Sequence, residues 1–119
     1  MIAQAKDAGT KKLALGSTEL AVVRGILAQH VPGQNVWAFG SRVTGLRLKK
    51  FSDLDLALEG RLDWTLRANL HEAFDESDLP MKVDVLELDL VDAEFRERIE
   101  PDFLIVQAAG PSSPVSQNR

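Results

Sequence analysis

Residues 36–57 read Val-Trp-Ala-Phe-Gly-Ser-Arg-Val-Thr-Gly-Leu-Arg-Leu-Lys-Lys-Phe-Ser-Asp-Leu-Asp-Leu-Ala. The opening run, Val36-Trp37-Ala38-Phe39, is short, apolar and rich in β-branched and aromatic side chains, and it stops at Gly40-Ser41. That composition predicts a buried strand over 36–39. Glycine lets a ligand approach the backbone, and serine adds a hydroxyl and an N–H, so the turn suits a phosphate. The apolar run at 51–58 predicts a second strand over 52–59, which carries Asp53 and Asp55. Side chains alternate along a strand, so the two carboxylates project from one face. Two hard oxygen ligands on one face can hold Mg²⁺, which prefers carboxylates in company with phosphates and water. A phosphate cradle beside a two-carboxylate metal site suits phosphoryl or nucleotidyl transfer.

Between these strands, Arg42, Arg47, Lys49 and Lys50 lie within nine residues that contain no acid. Residues 42–47 predict a short helix whose N-terminus faces the phosphate and which Gly45 breaks. Arg42 and Arg47 are the expected triphosphate contacts, with Lys49 and Lys50 left to solvent. Upstream, Leu20, Val23, Ile26, Leu27 and Val31 recur at helical spacing, which predicts a helix over 17–31, capped by Gly16-Ser17 and ended by Pro32-Gly33. Downstream, Leu62, Leu66, Leu70 and Phe74 predict a helix over 63–75 with Asp63 as its cap. Trp64 is read as surface packing, and His30 and His71 as structural.

Residues 81–88, Met-Lys-Val-Asp-Val-Leu-Glu-Leu, predict a third strand. Asp84 stands between Val83 and Val85, where a carboxylate is costly to bury unless it is paired or binds a metal. Beside strand 52–59 it would complete a three-carboxylate cluster; pairing with Lys82 or an arginine is the alternative. Glu87 has the opposite parity and should face away. Asp89 or Asp92 caps a last helix that includes Val91, Phe95 and Ile99; Pro101 interrupts it, and an apolar stretch over 103–109 follows. The order helix, strand, strand, helix, strand, helix predicts an α+β fold, a mixed sheet with helices packed on it.

A chain of 119 residues makes one domain, with no room for a separate substrate-binding domain. The expected division is a flexible arm over 1–16, the domain over 17–109 and a disordered Pro- and Ser-rich tail over 110–119. A net charge of −4 argues against a dedicated nucleic-acid binder, and zero cysteines exclude disulfides and cysteine-based zinc sites. No run of 18 apolar residues and no secretory core are present, so a cytoplasmic protein without a membrane partner is expected.

Phe-Gly-Ser-Arg at 39–42, followed by Ser-Asp-Leu-Asp-Leu at 52–56, resembles the signature of the polymerase-β-like nucleotidyltransferases. The match is to the minimal nucleotidyltransferases, the MNT proteins partnered with HEPN-domain proteins in prokaryotes, and it covers roughly 17–108. Eleven residues separate Ser41 from Asp53, one more than the family's usual spacer; a surface loop tolerates such an insertion. The resemblance implies a small mixed sheet flanked by helices, with the cleft at the strand ends. It implies two Mg²⁺ ions held by Asp53, Asp55 and Asp84, with ATP gripped at Gly40 and Ser41, while Arg42 and Arg47 are assigned to the triphosphate by their position alone. It also implies an antitoxin that moves AMP onto a hydroxyl of a HEPN toxin. Two alternatives stand beside it. One is an antitoxin that acts by complex formation alone. The other is an aminoglycoside-type enzyme, whose added substrate-binding portion this chain lacks.

Overall fold

Four short apolar runs form a mixed sheet whose two faces are covered unequally. The computed structural model describes residues 13–109. In chain order these are α1 (Ser17–His30), β1 (Val36–Phe39), α2 (Ser41–Thr44), β2 (Leu54–Leu58), α3 (Trp64–Asp75), β3 (Val83–Glu87), α4 (Ala93–Ile99) and β4 (Leu104–Gln107). Single 3₁₀ turns, Leu88–Leu90 and Glu100–Asp102, flank α4. The strand order is β3-β2-β1-β4. β1 runs antiparallel to β2 and β4, whereas β2 and β3 are parallel. Parallel neighbours need a crossover, and α3 supplies it.

Strand alternation divides the side chains between two clusters. On one face Val36, Ala38, Leu54, Leu56, Leu58, Val83 and Val106 are buried against Val23 and Leu27 of α1 and Leu70 and Phe74 of α3. Each such leucine contributes roughly 1.5–3 kcal/mol by leaving water. On the other face Phe39 and Ala57 join Trp37, Leu86, Phe95, Ile99 and Phe103. Two ring contacts organise this face: Trp37 stacks on Phe103 at 5.3 Å, and Phe39 meets Phe95 edge-on at 6.3 Å. The seven-residue α4 leaves part of the face open, and there the strands carry acids instead of apolar groups.

Helix starts follow the expected chemistry. The Asp63 carboxylate accepts from Leu66 N–H and that of Asp92 from Phe95 N–H, each at 2.8 Å. Asp92, not Asp89, is therefore the cap of α4, and Val91 lies ahead of the helix. The cap of α1 is Gly16, with no side-chain hydrogen bond, and Ser17 is the first helical residue.

Three features differ from expectation. Residues 13–16 are docked and do not belong to an arm: Ala14 N–H donates to the Arg42 carbonyl at 2.7 Å, and Leu13 and Leu15 pack on the core. The rest of the expected arm, and the expected tail from 110, lie outside the described residues. The stretch after Pro101 forms a fourth strand, β4, on the edge of β1. A four-residue run is too short for periodicity to declare it, and its placement depends on distant partners. Gln107 Nε2 donates to the Val31 and Gln34 carbonyls at 2.8 and 2.9 Å. Finally, Glu87 faces away from Asp84 as parity requires, yet it is buried and takes its partner from α3.

Arg67 donates to the two Glu87 oxygens at 2.6 and 2.8 Å, and Leu62 N–H donates to Glu87 at 2.7 Å. Together these bonds lock the start of α3 to the end of β3. The Arg67 hydrogen bonds, assisted by Leu62 N–H and the guanidinium charge, hold the Glu87 carboxyl below its ordinary range against the opposing effect of burial. A depressed carboxylate contributes stability above its unfolded value, and this is lost as pH falls through the folded one. Replacing Glu87 with Gln should therefore cost about 2–3 kcal/mol in urea unfolding at neutral pH, with the deficit shrinking in acid. Arg96→Ala, which breaks the exposed Arg96–Glu100 pair, should cost under about 0.5 kcal/mol. Equal costs would contradict this assignment.

Candidate active site

The end of β1 and the middle of β2 lie side by side because Phe39 and Asp55 are Cα partners in the antiparallel ladder. Asp55 is in turn the Cα partner of Asp84 across the parallel ladder. Phe39, Asp55 and Asp84 thus form a row across three strands, on the face that α4 only partly covers. Asp53 precedes β2, whose ladder begins at Leu54, so it sits exposed at the mouth of this row.

Gly40 closes the row. Its φ of +83° is a conformation that side chains other than glycine's rarely adopt. A Cβ placed there would lie 2.5 Å from Oδ2 of Asp55. The Asp55 carboxylate thus packs against the backbone of the Gly40-Ser41 turn, and a larger residue at position 40 would be strained at this φ and would displace that carboxylate. Val43 and Thr44 N–H groups return to the Gly40 carbonyl at 2.9 and 3.0 Å, which winds the chain into α2. Gly45, in the left-handed conformation, ends it as expected.

The electrostatics follow from this crowding. Burial, then Asp84, then Asp53 push the Asp55 carboxyl up from 3.8 to about 6. Among the described residues no side chain donates to Asp55 or pairs with it, so none of them offsets that cost. Asp84 has Lys82 Nζ at 3.6 Å, but both side chains are well exposed and such a pair is weak. The Lys82 pairing and the place beside Asp55 therefore coexist. No three acidic or imidazole groups close into a ready-made metal cage among the described residues. Mg²⁺ seldom has one; it binds one or two carboxylates and completes its shell with phosphate and water. An unpaired, half-buried carboxylate with two acids beside it fits a divalent cation of that kind.

Arg42 departs from expectation. It is only 7% exposed. Its guanidinium donates to the carbonyls of Ser52 at 2.9 Å, Ala14 at 2.7 Å and Lys50 at 3.2 Å. Three of its five N–H donors are spent on main chain, so Arg42 fastens the loop ahead of Asp53 instead of presenting its charge at the turn. Arg47 is exposed, in the left-handed region at φ 59°, and Lys49 and Lys50 are exposed beside it.

A cavity of about 280 Å³ adjoins the turn, lined by Phe39, Gly40, Thr44, Phe95, Arg98, Ile99 and Asp102. That is at the small end for a ligand site, enough for one ring-sized group but not for a whole nucleoside triphosphate. The sequence reading did not find it. Positions 95, 98 and 99 share one helix face, a spacing indistinguishable from ordinary core.

Comparison with known proteins gives a consistent picture. The family model described as a nucleotidyltransferase domain matches residues 20–109. The probable protein adenylyltransferase MntA of Haemophilus influenzae is 50% identical over 98 residues, which span 81% of this chain and 85% of that protein. A crystal structure of a toxin-antitoxin with AMP-PNP has a TM-score of 0.61 at 19% identity, covering 81% of this chain and 78% of that one. At that identity the likeness speaks for the fold alone.

Ionising Asp55 opposes folding, because its folded pKa lies above the ordinary value. The penalty is absent below that value, grows as pH rises and is complete above about 6. Metal-free Asp55→Asn should therefore melt a few degrees above the parent protein near pH 8, with the gap closing toward pH 4. An equal gap at both pH values would contradict it. Gly40→Ala should lose about 2 kcal/mol or more in urea unfolding through strain at positive φ and displacement of Asp55; an unchanged midpoint would contradict the close approach.

Proposed function

The chain belongs to the nucleotidyltransferase domain family, as a minimal nucleotidyltransferase enzyme, and we propose that it moves AMP from ATP onto a hydroxyl of a partner protein. The partner we propose is a HEPN-type toxin, which the transfer neutralises. The arrangement of Gly40, Asp55 and Asp84 carries this reading: it sets the glycine-serine turn directly against a carboxylate that has no side-chain partner among the described residues. Support also comes from the half-identical relative, a probable protein adenylyltransferase. The acidic net charge and the absence, among the described residues, of any helix long and apolar enough to cross a membrane fit a protein acceptor in the cytoplasm.

In this mechanism Gly40 and Ser41 hold the β- and γ-phosphates, and Arg47 adds charge to the triphosphate. Asp53 and Asp55, with Asp84, would hold two Mg²⁺ ions, whose chemistry when bound is to neutralise charge on the phosphates and on the attacking and leaving oxygens. Asp84, on the more exposed strand, takes the proton of the acceptor hydroxyl directly or through water. The acceptor oxygen forms a bond to the α-phosphorus, the bond from that phosphorus to the bridging oxygen breaks, and pyrophosphate leaves. Fixing the triphosphate at the turn is what directs attack to the α position. Arg42 has no part in this beyond holding the loop.

A second reading, inhibition by complex formation alone, draws on the absence of a closed three-carboxylate cage among the described residues. Incubation with α-³²P-labelled ATP, Mg²⁺ and a HEPN-domain protein from the same genome as acceptor separates the two. We expect label on the HEPN protein, lost on chelation and reduced at least about 100-fold by Asp53→Ala with Asp55→Ala, the scale of a disabled catalytic group. Undiminished label from the double variant would refute the mechanism. No label, with toxin inhibition intact in that variant, would establish the second reading.

A further inference from the structure

Leu46, Leu48 and Phe51 are 72%, 37% and 62% exposed, three large apolar side chains within six residues of one loop. The other large exposed apolar residues, Trp64, Leu90 and Ile105, come singly from separate elements. Single exposures are ordinary, whereas a cluster marks a contact surface.

This loop is also held in place. Arg42 binds the Lys50 and Ser52 carbonyls, Lys49 N–H donates to Ser52 Oγ at 2.9 Å, and Leu46 N–H donates to Thr44 Oγ1 at 3.1 Å. Arg47, at the centre, keeps a left-handed conformation that a non-glycine residue adopts only at a cost. Buried and strained groups are thus used to hold two leucines and a phenylalanine largely in water, where Lys50 Nζ over the Phe51 ring at 5.4 Å recovers little of the cost.

We propose that this loop is the docking element for the acceptor protein, and that it fits an apolar recess rimmed by acidic side chains. Leu46, Leu48 and Phe51 act as the anchors, and Lys49 and Lys50 meet the acidic rim. The proposal rests on the reading of a protein acceptor. Charge selects the occupant: the segment 42–52 contains no acid, in a chain of net charge −4 with Asp53, Asp55 and Asp84 close by. An anionic bilayer or nucleic acid would meet those acids as well as the lysines. A protein can match a basic spot a few residues wide and avoid its acidic surroundings. The location adds a consequence, because the loop leaves the Gly40-Ser41 turn through α2 and returns at Asp53. A partner anchored on it lies beside the carboxylate row.

The test measures affinity and label transfer separately, using full-length protein and the HEPN-domain partner. Leu46→Ser with Phe51→Ser, both at exposed positions, should weaken the complex at least tenfold in calorimetry while leaving AMP-PNP affinity and melting temperature unchanged. Lys49→Glu with Lys50→Glu should weaken it too and flatten its dependence on salt. Unchanged partner affinity in both variants overturns the docking assignment whatever the transfer assay reads, as does parallel loss of AMP-PNP affinity. Retained partner affinity with loss of binding to phosphatidylserine vesicles or single-stranded RNA likewise overturns it. If the variants weaken the complex but the parent protein never labels the partner, docking stands and the transfer reading falls.

Discussion

The contact between Gly40 and the Asp55 carboxylate is the constraint on which the rest of the site depends. It exists because the antiparallel register sets Phe39 opposite Asp55, so that the residue after the strand must pass directly over that side chain. Glycine permits the passage without strain, through its positive φ and its lack of a Cβ. The same contact leaves the carboxylate half-buried beside two other acids, which is why its proton is retained to about pH 6. Among the described residues that group has no counter-charge, and a cation carrying phosphates would supply one.

Two buried charges elsewhere serve the site without joining it. Glu87 and Arg67 fix α3 against β3 and so the parallel register that brings Asp84 beside Asp55. Arg42 binds three carbonyls and ties residues 13–16, the basic loop and the approach to Asp53 into one unit. Either guanidinium removed would leave carbonyls or a carboxylate unsatisfied, a larger loss than the bonds themselves contribute. The scaffold around the acids is therefore polar and specific, while the opposite face of the sheet is a conventional apolar core.

Much of this was legible in residues 36–57. The apolar run, the glycine-serine turn and the acids two apart are local signals, each set by a period or a backbone preference. β1, the helix caps at Asp63 and the strand parity of Glu87 were readable for the same reason. What escaped were contacts between distant segments. Arg42 looks identical in sequence whether it meets a phosphate or the Ala14 carbonyl. Burial of Glu87 depends on Arg67, twenty residues away, and β4 becomes a strand only because β1 has an open edge. The cavity beside Gly40 needs α4 to cross the sheet, which no spacing within α4 reveals.

The central claim, that a nucleotide and its metal ions bind between the Gly40-Ser41 turn and the acid row, is tested most directly by a crystal structure with Mn²⁺ and a non-hydrolysable ATP analogue. Anomalous scattering would locate the manganese without reference to activity. Manganese should be liganded by Asp53 and Asp55, with Asp84 at one ion, and the triphosphate should lie against Gly40 and Ser41. Manganese absent from Asp55, or a triphosphate bound away from the turn, would contradict it.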